Sequence, residues 1–264
     1  MAIEVTREPG IAIVTVNRPD ALNAFNTELI LEMTEQIKQL ADDDSVRAVI
    51  ITGAGDRAFI AGADIQEMSE KDHDGAVAFS RRGHKLCDAI ESMPQPVIAA
   101  INGFALGGGC EIAIACDIRL AADHAKLGQP EVGLGIPPAW GGTQRLPRIV
   151  GIGRAKEIVF SGRHVGAAEA KEIGLVNAVH PASDLLDEAK KLARTFLEKG
   201  PNALAASKKL INRTMETSMA TGNIHESKLF AEAFNGDEQR EGMEAFLERR
   251  SPSFAATGES GDAG

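Results

Sequence analysis

The sequence predicts an α/β protein: a coiled core of repeated strand–strand–helix units, followed by a helical C-terminal region. Three observations predict it. In the first two-thirds of the 264 residues, short β-branched runs alternate with segments of helical period. The order strand, strand, helix recurs there without clear identity between copies, as in chains whose core grows by repetition. From about Pro181 onward strand signals stop and helical periodicity takes over. The division is placed at 195/196, giving a catalytic core of residues 1–195 and a helical region of 196–264 for assembly and active-site cover.

The elements follow in order. Ile11–Val16, "IAIVTV", is a β-branched run that ends in the turn-rich "NRPDALN" and reads as a strand. Thr27–Leu40 places Ile30, Met33, Ile37 and Leu40 on one helical face, with Asn26 or Thr27 as the cap. Val46–Thr52, "VRAVIIT", reads as a buried strand, and Ala76–Ser92 as a helix stopped by "MPQP". "PVIAAI" is a strand, a helix starts within "GGGCEIAIAC", and "DIRLAA" is a strand. Four helical segments then run from "DLLDEAKKLARTFLEKG" to "DEQREGMEAFLERR". The small, polar tail from about residue 257, "TGESGDAG", is expected to be disordered. Val97–Cys116 has the length of a membrane span, but it holds Asn102, Glu111 and four glycines. A carboxylate in lipid is costly, so a buried strand running into a buried helix is the better reading.

Composition narrows the function. A formal net charge of −10 argues against a broad nucleic-acid-binding surface, which needs a basic field. Three cysteines without a C-x-x-C spacing suggest neither a disulfide framework nor a zinc site, and no metal is expected. "MAIEVTREPG" has no basic segment followed by an apolar one, so a cytoplasmic location is expected. "GAGDRA", Gly53–Ala58, matches the dinucleotide-binding pattern G-x-G-x-x-A. Its context fails, because Gly62 interrupts the helix that should follow and no second strand ending in an acid comes later. It reads as a glycine turn.

The one glutamate in "GFALGGGCEIAIACDI", Glu111, carries the chemistry. N–H groups at a helix N-terminus lack intrahelical partners, and glycines let a ligand approach them. A carbonyl oxygen that gains charge can sit there. Glu111 follows Gly108 by three residues, about 4.5 Å along a helix and on the same face. That spacing suits chemistry on carbons next to a polarised carbonyl. The alternative is a buried carboxylate satisfied by an arginine or by backbone amides. Glu131, in the glycine- and proline-rich "KLGQPEVGLGIPPAWGGTQRL", is a loop acid that can complete an acid/base pair. Cys110 points about 100° away from Glu111 and reads as packing.

"FIAGADIQEM", "INGFALGGGCEIAIACDIRLAAD", "LGQPEVGLGIPPAWGGTQRLPRIVG" and "SGRHVGAAEAKEIGLVNAV" together resemble the crotonase, or enoyl-CoA hydratase/isomerase, superfamily, in order and spacing and over nearly the whole chain. The resemblance implies a crotonase-like spiral of ββα units. It places an oxyanion hole on the N–H groups of Ala63 and Gly108, holding the thioester oxygen of an acyl-CoA. It makes Glu111 and Glu131 the acid/base pair. It puts substrate and CoA contacts on Ala21, Leu22, Ala24, Ala61, Asp64, Ile65, Gln66, Gly107 and Pro130. No cofactor is implied, since coenzyme A is part of the substrate. Assembly as a homotrimer or homohexamer through the last helices is also implied.

Related positional isomerases often lack the first glutamate, and the naphthoate-synthase branch uses a tyrosine, which this chain lacks. The pattern favours syn hydration of short- to medium-chain 2-enoyl-CoA. A double-bond isomerase or another acyl-CoA lyase is the alternative. One branch of the family binds RNA through a lysine-rich helix. In "AVAFSRRGHKLCDAIES", Asp88 and Glu91 offset two of the three cations Arg81, Arg82 and Lys85, so no nucleic-acid partner is expected. Arg18, Arg57, Lys208, Arg249 and Arg250 are candidate cations for the CoA phosphates. Ala139 stands where relatives often have glycine, and Trp140 is placed either in the acyl pocket or in packing.

Overall fold

The structure, a computed structural model, describes residues 2–254. The tail expected to be disordered from residue 257 lies outside the described residues. The chain opens on a hairpin, β1 (Ile3–Glu8) and β2 (Ile11–Val16). β1 escapes a reading by hydrophobic runs because Glu4, Arg7 and Glu8 interrupt it. Helix α1 (Thr27–Ala41) is capped by Asn26, whose side chain accepts the Leu29 N–H. Its buried face carries Leu29, Ile30, Met33, Ile37 and Leu40. Each such side chain stabilises the fold by roughly 1.5–3 kcal/mol.

Three turns of a spiral follow. Each gives one strand to a large sheet and the next, shorter strand to a small one. The first pair is β3 (Ala48–Gly53) and β4 (Ala58–Ile60), followed by α2 (Ile65–Ser69) and α3 (His73–Ser92). The second is β5 (Val97–Ile101) and β6 (Phe104–Leu106), followed by α4 (Gly108–Ala115). The third is β7 (Ile118–Ala122) and β8 (Lys126–Gly128), followed by a 3-10 turn over Pro130–Leu134, α5 (Gly142–Val150) and α6 (Ile152–Ser161). β9 (Val165–Gly166), α7 (Ala167–Glu172) and β10 (Ala178–His180) close the core. The large sheet has the order β1-β2-β3-β5-β7-β10 and is parallel after the first hairpin. The small sheet has the order β4-β6-β8-β9. β3 and β5 are nearly continuous apolar runs because both faces of the parallel sheet are covered. "GAGDRA" is a turn between β3 and β4, with Gly55 at φ 78°.

The C-terminal part is helical, as the periodicity predicts: α8 (Leu185–Leu197), α9 (Pro201–Asn212), α10 (Met219–Glu232) and α11 (Asp237–Glu248). α8 packs on β3, β5 and β7, burying Leu185, Ala189 and Ala193. It belongs with the core, so we propose the division in the turn before Pro201 rather than at 195/196, which cuts the last turn of α8. Beyond that turn Ile211, Met219, Ile224, Phe230, Phe246 and Leu247 are exposed apolar side chains.

Lys208 is not available as a free cation. Its Nζ lies 2.8 Å from Asp117 and donates to the Gln95 carbonyl at 3.0 Å, pinning α9 to the end of α3. Lys208→Met is expected to lower stability by about 1–3 kcal/mol, read as a fall in the denaturation midpoint, because the half-buried Asp117 loses its partner. KM for a CoA thioester should stay unchanged.

Candidate active site

The helix that carries Glu111 is fixed by close approach on two sides. A Cβ on Gly109 would lie 1.9 Å from the Ile60 carbonyl oxygen, so α4 starts pressed against β4. A Cβ on Gly108 would lie 2.5 Å from the Trp140 ring. Every residue of α4 is buried. The carboxylate that the sequence leaves unexplained is 2% exposed and lines a cavity of about 450 Å³.

Ala61, Ala63, Ile65, Gly107, Gly108, Glu111, Pro130 and Glu131 all line this cavity. Among the described residues neither the Ala63 N–H nor the Gly108 N–H has an acceptor, while several N–H groups around them are committed. Phe25 N–H donates to the Gly62 carbonyl, Asp64 N–H to the Phe25 carbonyl, and Gly107 N–H to the Gly128 carbonyl. Two residues with free N–H groups therefore line one apolar cavity, one just past the end of β4 and one at the start of α4.

The other expected contacts are not in the lining. Ala21, Leu22 and Ala24 form a turn beside it, tied in by the Ala61 N–H donating to the Leu22 carbonyl at 3.0 Å. Asp64 caps α2, accepting the Glu67 N–H, and lies 3.6 Å from Arg18. Gln66 is exposed on α2. Of the candidate cations, Arg18 is the one that reaches this turn, donating to the Ala24 carbonyl at 2.7 Å. Arg57 is exposed, and Arg250 pairs with Glu241 and Glu248.

Glu111 Oε1 accepts two N–H groups, Trp140 and Gly142, each at 2.7 Å. Oε2 has no hydrogen bond among the described residues. A place near a helix start by itself favours an ionised carboxyl. Burial instead pushes Glu111 above its ordinary range, and the Gly142 and Trp140 N–H groups, the Arg145 charge and, more weakly, the Ala139 N–H pull it back without cancelling. Burial, together with the Glu111 charge, pushes the Glu131 carboxyl up to about 7, against its own backbone N–H. Gln129 is fully buried beside it. With its amide nitrogen turned toward the carboxylate, as the donors and acceptors there require, it donates to Glu131 Oε1 at 2.9 Å and Oε2 at 3.2 Å.

The sign of the Glu131 shift makes a prediction. Between about pH 4.5 and 7 the unfolded chain loses this proton and the folded chain keeps it, so stability falls as pH rises through that window. Glu131→Gln removes the penalty. It is expected to be more stable than wild type above pH 7, by on the order of 2–3 kcal/mol at most, and to lose that advantage below pH 4.5. Denaturant melts at several pH values measure the difference.

Several wall residues carry no sequence signal. Among the described residues Lys71 is the single cation lining the cavity; it lies 2.7 Å from Glu67 and stacks over Phe79. Against burial, the Lys71 ammonium and the Thr27 hydroxyl and N–H hold Glu67 down to about 2. Trp140 serves both proposed ends: it packs on Phe25 and Phe79 and lines the cavity. Ala139 is not at positive φ, so the departure from glycine costs no backbone strain. Among the described residues no group of three or more metal-ligating side chains occurs.

A ββα spiral that brings two carboxylates and two unpaired N–H groups to one apolar cavity defines a crotonase-type protein. Residues 6–257 match the enoyl-CoA hydratase/isomerase family, and the chain belongs to it. It is 48% identical over 244 residues to a short-chain-enoyl-CoA hydratase of Clostridium acetobutylicum, covering 92% of this chain and 94% of that protein. It is 47% identical over 252 residues to a crotonyl-CoA hydratase of Syntrophomonas wolfei, covering 96% and 97%. The crystal structure of an enoyl-CoA hydratase from Bacillus anthracis superposes with a TM-score of 0.93 at 38% identity, covering 96% of this chain and 99% of that one.

Proposed function

We propose that this protein is an enoyl-CoA hydratase that adds water syn across the 2,3 double bond of short- to medium-chain 2-enoyl-CoA, reversibly, without a cofactor. The observation that carries the reading is the pair Glu111 and Glu131 in one cavity with the free N–H groups of Ala63 and Gly108. The thioester oxygen sits between those two donors, which stabilise the charge it gains as Cβ is attacked. Glu111 takes a proton from water, whose oxygen bonds to Cβ. The electron pair of the double bond moves toward the carbonyl, and Glu131 delivers a proton to Cα. A carboxyl near pKa 7 suits that donor, being protonated for part of the time at neutral pH.

The CoA moiety is assigned to the turn over residues 21–24, the 61–66 segment and Arg18. The cavity lining ends at Trp140, so cover of the site by C-terminal helices is assigned to a neighbouring copy. The exposed apolar residues of α10 and α11 support a trimer or a dimer of trimers. Among the described residues no helix is long and apolar enough to cross a membrane. The free, buried cysteines suit the cytoplasm. A series of 2-enoyl-CoA thioesters of increasing length, followed by loss of the conjugated enoyl absorbance, tests the reading. Absence of hydration across the series overturns it.

A further inference from the structure

Glu111 is held by backbone groups that are themselves held from outside. The Ala139 carbonyl and the Trp140 N–H belong to one peptide plane and point opposite ways. The N–H donates to Glu111 Oε1, and the carbonyl accepts the Ser80 hydroxyl of α3 at 2.7 Å. The Gly141 carbonyl and Gly142 N–H form a second such plane. Its N–H also donates to Oε1, and its carbonyl accepts the N–H groups of Gln144 at 3.0 Å and Arg145 at 2.8 Å, in the first turn of α5. The plane between them is held by the Arg145 side chain, whose Nη1 donates to the Trp140 carbonyl at 3.2 Å. Arg145 is fixed in turn from α3: Nε and Nη2 donate to Glu91 at 3.0 and 2.6 Å, and Nη2 to Asp88 at 2.8 Å.

We infer that Ser80 and Arg145 are positioning residues: they orient the 139–142 segment so that its N–H groups saturate Glu111 Oε1 and leave Oε2 to the cavity. Packing on Phe25 and Phe79 fixes the Trp140 ring, but the peptide planes on either side of it can rotate when nothing tethers their carbonyls. A rotated Ala139–Trp140 plane would turn a carbonyl toward the carboxylate and replace attraction with repulsion. Neither residue needs to touch substrate for this.

The charged and titratable groups facing Glu111 are Arg145 from α5, Glu131 from the 3-10 turn, Cys87 from α3 and Cys110 from its own helix, with Lys71 lining the same cavity from between α2 and α3. Those around Arg145 are Asp88, Glu91 and Cys87, with His84, Arg148 and Glu216 in the same groove. Loosening the tethers removes N–H donors from an ionised, buried carboxylate, so protonated Glu111 gains.

The test is a carboxyl 13C titration of glutamate-labelled full-length protein, with the Glu111 signal assigned by its absence from Glu111→Gln. Ser80→Ala and Arg145→Lys are expected to raise the Glu111 midpoint by about half a pH unit or more. Ser80→Thr, which keeps the hydroxyl, should titrate as wild type. The inference rests on the proposed reaction only for its second readout: the acid limb of kcat moves with the midpoint while KM for crotonyl-CoA changes less. An unmoved Glu111 midpoint in Ser80→Ala overturns the inference, even if its Tm falls, since that marks a purely structural contact. Should Arg145→Lys fail to fold, Ser80→Ala decides. If wild type hydrates no enoyl-CoA, the proposed function fails while the titration still judges the tethers.

Discussion

Glu111→Gln is expected to hydrate crotonyl-CoA roughly 10²–10⁴-fold more slowly than wild type, and Glu131→Gln to lose activity on the same scale. The substitutions are nearly isosteric. In Glu111→Gln the new amide oxygen can still accept the Trp140 and Gly142 N–H groups, so the fold around α4 should survive. What disappears is a base for water in one case and a proton donor to Cα in the other. The two carboxylates influence each other's charge, so their apparent pKa values belong to the pair. They should therefore act as a unit, and the double variant should lose less than the product of the single losses. Residual double-bond migration in Glu111→Gln, with hydration gone, would support the division of roles. A wild-type hydration rate in Glu111→Gln would leave the carboxylate a purely structural part of the 139–142 contact.

Much of this arrangement is legible in the chain. "GGGCEIAIAC" yields a buried helix start because free N–H groups and a carboxylate in an apolar run have few other uses. The alternation of apolar runs yields β2, β3, β5 and β7, whose burial on both faces leaves an unmistakable hydrophobic stretch. What stays hidden is set by contacts distant in sequence. β1 is an edge strand with charged residues, and it exists because β2 offers a partner. The direction of the Glu111 shift depends on how completely the spiral closes around it, which local sequence does not encode. Lys71, Gln129 and Ser80 are ordinary polar residues in the chain; only the fold brings them to the cavity or its carboxylates. The same holds for Lys208, which reads as a surface cation until α9 lays it against Asp117.

Gly108→Pro is expected to lower kcat by roughly 10²–10³-fold relative to Gly108→Ala. The comparison with alanine isolates the donor. Both substitutions introduce a Cβ that meets the Trp140 ring at 2.5 Å, so both disturb the packing at the head of α4 to a similar degree. Both are compatible with the first position of a helix, where proline's missing N–H breaks no intrahelical bond. Alanine keeps the N–H that is proposed to face the cavity. Proline replaces it with Cδ, at the place proposed for the thioester oxygen. A loss of one preorganised donor is worth about 2.7–4 kcal/mol in the transition state, because the charge on that oxygen grows as water attacks Cβ. The effect should appear in kcat more than in KM, since the ground-state carbonyl carries little of that charge. Trp140→Leu, combined with each substitution, relieves the shared clash and should leave the proline-to-alanine ratio unchanged. Equal turnover by folded Gly108→Pro and Gly108→Ala would remove the Gly108 N–H from the mechanism and leave Ala63 as the sole proposed donor.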